Sequence, residues 1–121
     1  MTEQTQTWPL DMSVLAQTAG PRAAQLLPQL IPIYLEDGDL LLSWLQEACQ
    51  TRNAIKLHQA THRLKGNSAS MGALTIATLA DQLQTWGKVG DWQTAVKTLT
   101  DLAEEYAKVK SALLTLVSQI D

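Results

Sequence analysis

The stretch Ala60-Thr61-His62-Arg63-Leu64-Lys65-Gly66-Asn67-Ser68-Ala69-Ser70-Met71-Gly72-Ala73 has the period of an amphipathic helix. Leu57, Thr61, Leu64, Ser68 and Met71 recur at three- and four-residue steps, which keeps one side against a core. At about 100° per residue, with that stripe at zero, His62 stands roughly 140° away and Gly66 roughly 180° away. Ala69 falls near roughly 120° and Lys65 near roughly 80°. The imidazole is therefore expected to face water, on a strip with a lysine beside it and little side chain above it. A glycine inside a helix costs about 1 kcal/mol relative to alanine. Gly66, one turn after His62, is accordingly expected to serve close approach by another molecule.

Outward from this stretch the chain stays helical. Asn53 can cap the helix that carries His62, and Gly72 lets it stop or turn near Ser70 and Met71. A further helix is expected from Ala73 to about Trp86, with Ile76, Leu79, Ala80 and Leu83 inward, followed by a connection at Gly87, Gly90 and Asp91. From about Asp91 to Val117, Val96, Leu99, Leu102, Ala103, Tyr106, Val109, Leu113 and Leu116 keep a single stripe. Toward the N-terminus, Leu40, Leu41, Trp44, Leu45 and Ala48 form an apolar face, and Glu36-Asp37-Gly38-Asp39 before it reads as a break or kink. Ala23, Leu26, Leu27, Leu30, Ile33 and Tyr34 give another helical face. There Pro28 and Pro32 predict a bend or an interruption between Leu27 and Ile33. Asp11 can cap a short helix, Met12 to Thr18, which Gly20-Pro21 breaks, and residues 1–9 read as a loose arm before a domain at 10–121. No segment alternates with period two over a strand's length. The expectation is an all-α fold, an antiparallel four-helix bundle with a short extra N-terminal helix.

At 121 residues and 45% hydrophobic content the chain suits one domain with a core of its own. A net charge of -3 argues against nucleic-acid binding, which needs a basic excess to displace counterions from phosphates. One cysteine, Cys49, at helical spacing from Leu42 and Leu45, points to a packed thiol in a reducing compartment. No apolar run approaches about 18 residues and no charged-then-apolar leader opens the chain, so no membrane partner is expected and the expected location is the cytoplasm.

If the helices on either side of Gly72 form a hairpin, residues whose numbers sum to about 146 lie level, because the rise per residue is equal on both arms. This puts Gln84 level with His62 and Asp81 level with Lys65.

His62, Leu64, Lys65, Gly66, Ser68, Ala69, Gly72 and Ala73 resemble the His-x-Leu-Lys-Gly-x-Ser-Ala-x-x-Gly-Ala signature of histidine-containing phosphotransfer (HPt) domains. Thr61 stands where that family more often has alanine, and Asn67 where it more often has a small residue. The resemblance implies that His62 takes a phosphoryl group from an aspartate of one receiver domain and passes it to an aspartate of another. It also implies that the protein has no cofactor of its own, and that magnesium and its acidic ligands come from the receiver of a response regulator or hybrid sensor kinase. Some HPt domains carry a glutamine on the following helix that hydrogen-bonds the active imidazole, and Gln84 is at the matching separation. On this reading Gln84 orients the ring of His62. Phosphoryl transfer needs positioning and positive charge, which Lys65, one turn after His62, can supply. His58, Arg63, Gly66, Asn67 and Ala69 would form the docking surface of a monomer.

Other readings of the same residues are weaker. Histidines at i and i+4, such as His58 and His62, can share a metal, but no further ligand stands near them in sequence, so no metal site is expected. No Gly-rich phosphate loop supports an autonomous kinase. In the histidine helix of sensor kinases an acidic residue usually follows the histidine, whereas Arg63 follows here. A non-catalytic helical bundle that binds a partner through the strip around Gly66 is the alternative from a different functional class.

Overall fold

The computed structural model of the protein describes residues 8–120. The arm expected over residues 1–9 lies outside the described residues except for Trp8 and Pro9. Immediately after them, Leu10 is already buried in the core.

Five α-helices follow: α1 (Met12–Ala19), α2 (Ala23–Thr51), α3 (Ala54–Ser70), α4 (Leu74–Val89) and α5 (Trp92–Ile120), with a 3-10 turn at Gly20–Arg22. The four long helices pack in cyclic order, α2 on α3, α3 on α4, α4 on α5 and α5 back on α2. Their connections are too short for anything but antiparallel neighbours. The core is one cluster along the bundle axis, to which Ile31, Leu41 and Leu45 of α2, Leu57 and Leu64 of α3, Ile76 and Leu83 of α4, and Leu102 and Leu113 of α5 contribute fully buried side chains.

The ends of the helices follow local chemistry. Asp11 Oδ1 accepts from the Ser13 and Val14 amides at 3.0 and 3.3 Å, satisfying donors that the first turn of α1 leaves unpaired. Asn53 Oδ1 does the same for the Lys56 amide of α3 at 3.0 Å. Gly72, at φ 78°, turns the chain between α3 and α4 in the left-handed region. A side chain there is also blocked sterically: the N-terminal segment crosses this turn, the Asp11 amide donates to the Gly72 carbonyl at 2.8 Å, and a Cβ on Gly72 would stand 2.5 Å from the Asp11 carbonyl oxygen.

The largest departure from the sequence reading is α2. It runs unbroken through Pro28, Pro32 and Glu36-Asp37-Gly38-Asp39, where an interruption and a break are expected from sequence. A proline removes its own amide hydrogen bond and crowds the carbonyl one turn back; where the ring lies on the outer side of a helix, as Pro32 does, water can take up the freed carbonyl. Leu27, Ile31, Tyr34 and Leu35, buried on the opposite side, hold the helix across both prolines. Tyr106 of α5 crosses α2 at Gly38, where a Cβ would lie 2.6 Å from the tyrosine ring, so the glycine serves close packing within the helix rather than a turn. Tyr106 Oη reaches the Leu35 carbonyl at 2.9 Å and Asp39 Oδ1 at 2.8 Å, so Asp39 is used in helix packing rather than in a turn. At the other end of the chain, α4 continues past Trp86 to Val89, and α5 runs to Ile120.

Candidate functional site

The inward stripe of α3 is as the periodicity requires. Leu57, Thr61, Leu64 and Ser68 are each 0% exposed, and Met71 just beyond them is buried. Two of these positions carry hydroxyls, and both are satisfied in place. Thr61 Oγ1 lies 2.9 Å from the Leu57 carbonyl. Ser68 Oγ shares a hydrogen bond of 2.7 Å with Tyr34 Oη of α2. Burial pushes the Tyr34 phenol up to about 12, with the Ser68 hydrogen bond pulling the other way, so it stays protonated.

With that stripe held, α3 turns His62 outward. Its ring is exposed, and among the described residues neither ring nitrogen makes a hydrogen bond. His58, one turn earlier, is also exposed; the two rings lie nearly parallel, with an interplanar angle of 10° and centroids 6.1 Å apart. On the other side of His62, the space where a Gly66 Cβ would sit is empty within 4 Å. Ala69 continues the strip and is half-buried.

Both cations next to His62 are paired with carboxylates from neighbouring helices. Lys65 Nζ donates to Asp81 Oδ1 of α4 at 2.9 Å, the two residues that the hairpin rule places level. Arg63 is gripped by Asp37 of α2: its Nε donates to Asp37 Oδ2 at 3.0 Å and its Nη2 to Oδ1, while the guanidinium sits 5.9 Å from the centroid of the Trp44 ring. Asn67 Nδ2 donates to the same Asp37 carboxylate at 2.8 Å.

The position of Gln84 departs from the sequence expectation. Its Oε1 lies 3.4 Å from Thr61 Oγ1 and makes no hydrogen bond to His62 in this structure. Its height along the hairpin is as expected. Helix rotation, which height does not fix, turns it toward the buried threonine rather than the outward imidazole.

Sequence reasoning missed Asp37, which gathers Arg63 and Asn67. The signal was available, because a level rule for the α2–α3 hairpin also sets Asp37 near these residues. It applies only if α2 is continuous, and reading Glu36–Asp39 as a break concealed it. Among the described residues, no group of three or more histidine, cysteine, aspartate or glutamate side chains is placed to hold a metal ion. No helix among them is long and apolar enough to cross a membrane. Cys49 is buried, and burial pushes its thiol up, away from the reactive thiolate.

A helical bundle that leaves two imidazoles exposed on one helix, with the open space over Gly66 beside only His62, has the form of a carrier of small groups. Comparison with known proteins gives the family. A match to the Hpt domain covers residues 29–112. The crystal structure of histidine-containing phosphotransfer protein B (HptB) from Pseudomonas aeruginosa PAO1 superimposes with a TM-score of 0.86 at 25% sequence identity, covering 94% of this chain and 98% of that one. Comparison with curated protein sequences finds no match. The chain belongs to the Hpt domain family, the histidine-containing phosphotransfer domains. It is a phosphotransfer intermediate of two-component signalling, in a family whose members carry phosphoryl groups and interact with receiver domains.

Proposed function

We propose that His62 accepts a phosphoryl group from an aspartate of one receiver domain and hands it to an aspartate of a second. In the first step an unprotonated ring nitrogen of His62 attacks phosphorus in line. The N–P bond forms as the P–O bond to the donor carboxyl breaks, and the donor leaves as a carboxylate. In the second step a carboxylate oxygen of the acceptor attacks, the N–P bond breaks, and the imidazole is released. The observation that carries this reading is the His62 ring itself: exposed, free of hydrogen bonds among the described residues, and beside the open space over Gly66.

The other residues take supporting roles. Lys65 supplies positive charge near the transferring group. Gln84, with its Oε1 turned toward Thr61, supports the buried side of α3 rather than the His62 ring. Arg63 and Asn67, both held by Asp37, flank the docking strip with His58, Gly66 and Ala69. The exposed Ile33 and Leu40 of α2 widen the strip with apolar surface. The receivers supply magnesium, and the protein acts in the cytoplasm as a monomer.

The test is incubation with phosphorylated receiver domains, taken pairwise. Label is expected to move to the chain in acid-labile, base-stable form and to be absent from a folded His62→Gln variant. Label retained in that variant would remove the proposal and leave a bundle that only binds its partner.

A further inference from the structure

The two cations beside His62 are neutralised in different ways. The Arg63 partner, Asp37, has a side chain only 16% exposed and also accepts from Asn67, so that pair is built into the α2–α3 packing. Lys65 and Asp81 are 48% and 59% exposed and meet through one contact. That pair is not needed to hold α3 on α4, whose contact is made by the buried Leu57, Leu64, Ile76, Ala80 and Leu83. An exposed pair with no packing role still acts on whatever charge is placed next to it.

We propose that Asp81 is a positioning residue that acts through Lys65 to weaken the protein's hold on its phosphoryl group. The proposal rests on the reading of His62 as the phosphoryl acceptor. Lys65 lies three residues after His62, a separation that makes side chains neighbours on a helix surface. A phosphoryl group on His62 brings about -1.5 to -2 charges to that surface. A free ammonium would hold it by direct attraction. An ammonium donating to a carboxylate at 2.9 Å presents a dipole instead, whose field falls off faster and whose negative end also repels the phosphoryl oxygens. Asp81 also holds the ammonium on the α4 side of the strip. A carrier that must release its cargo to another carboxylate gains from this, because strong stabilisation of the phosphorylated state would trap it there.

The experiment reads the charge around the phosphoryl group without a partner protein. Phosphoramidate is used to phosphorylate the full chain in a His58→Gln background. The chain has two histidines, so His62 is then the one imidazole left. The 31P resonance is followed through the second ionisation of the phosphoryl group. Asp81→Asn is expected to lower the proton affinity of that group about two- to five-fold, since it leaves the Lys65 charge unopposed in a solvated setting. The same substitution in a Lys65→Ala background is expected to move the titration much less, since only the direct repulsion by the Asp81 carboxylate is then lost. High salt is expected to shrink the effect. A titration unmoved by Asp81→Asn, or moved equally without Lys65, would overturn the proposal. A chain that titrates as expected but takes no label from any receiver would remove the phosphorelay reading instead.

Discussion

Arg63 Nε donates to the Asp37 carboxylate at 3.0 Å, so α2 grips α3 at the residue next to His62. The same carboxylate accepts from Asn67, and one acidic side chain thereby fixes two residues of the docking strip relative to the bundle. Asp37→Ala is expected to destabilise the fold by about 1–2 kcal/mol, less than a fully buried network because the Arg63 side of the pair is half exposed. Urea unfolding measures this. The loss is expected to be smaller in high salt, and a change within about 0.3 kcal/mol would show that Trp44 alone keeps Arg63 in place.

Glycine to alanine is expected to have opposite signs at two sites. At Gly66 an added methyl would enter open space, so Gly66→Ala is expected to stabilise the helix by about 0.5–1 kcal/mol. At Gly38 the added methyl would meet the Tyr106 ring at 2.6 Å, and Gly38→Ala is expected to cost about 1–3 kcal/mol despite the better helix propensity. Thermal unfolding of the two variants separates them. A bulky residue at position 66 is expected to leave the fold intact and weaken receiver binding; normal binding by Gly66→Trp would place the docking surface elsewhere.

Much of this arrangement is legible in sequence because it depends on α3 alone. One helix period fixes that Leu57, Thr61, Leu64 and Ser68 point inward and that His62 and Gly66 point out. The level of Lys65 with Asp81 follows as well, since equal rise on two arms of a hairpin depends little on side chains. What sequence hides is tertiary. Glycine and acidic residues at 36–39 have the composition of a turn, and it is partners on other helices, Tyr106 against Gly38 and Asp39 and Arg63 and Asn67 on Asp37, that give them a use inside a helix. Thr61 and Asn67, two departures from the family signature, are likewise used by other helices, through contacts with Gln84 and Asp37.

Asp39 links stability to acid. The hydrogen bond from Tyr106 holds its carboxyl below the ordinary value of 3.8, and Lys110 adds to this while burial opposes it. A carboxyl with a depressed folded pKa contributes stability that is full above its unfolded pKa and is lost as pH falls through the folded value. Unfolding midpoints are therefore expected to decline below about pH 4, more steeply in the wild type than in Asp39→Asn. Asp11, lowered first by the hydrogen bond from the Ser13 hydroxyl and then by the Val14 amide, and Asp91, lowered by the Thr94 amide and hydroxyl, add to the decline with the same sign. Parallel curves for wild type and Asp39→Asn between about pH 5 and about pH 2.5 would assign the acid limb to other groups.

The hydrogen bond between Tyr34 and Ser68, 2.7 Å long and buried, ties α2 to the inward side of the helix that carries His62. Tyr34→Phe keeps the ring but leaves the Ser68 hydroxyl with no partner on α2, in a place water does not reach. An unsatisfied buried hydroxyl costs about 1–3 kcal/mol, whereas removing both partners costs less. Tyr34→Phe alone is thus expected to destabilise more than the double variant Tyr34→Phe with Ser68→Ala, the reverse of what two independent losses would give. Because His62 faces the other side of α3, phosphoryl acceptance per folded molecule is expected to be unchanged in both. Additive losses would mean that Ser68 turns back to bond its own helix. A loss of acceptance at constant folded fraction would mean that packing beneath α3 tunes the histidine above it.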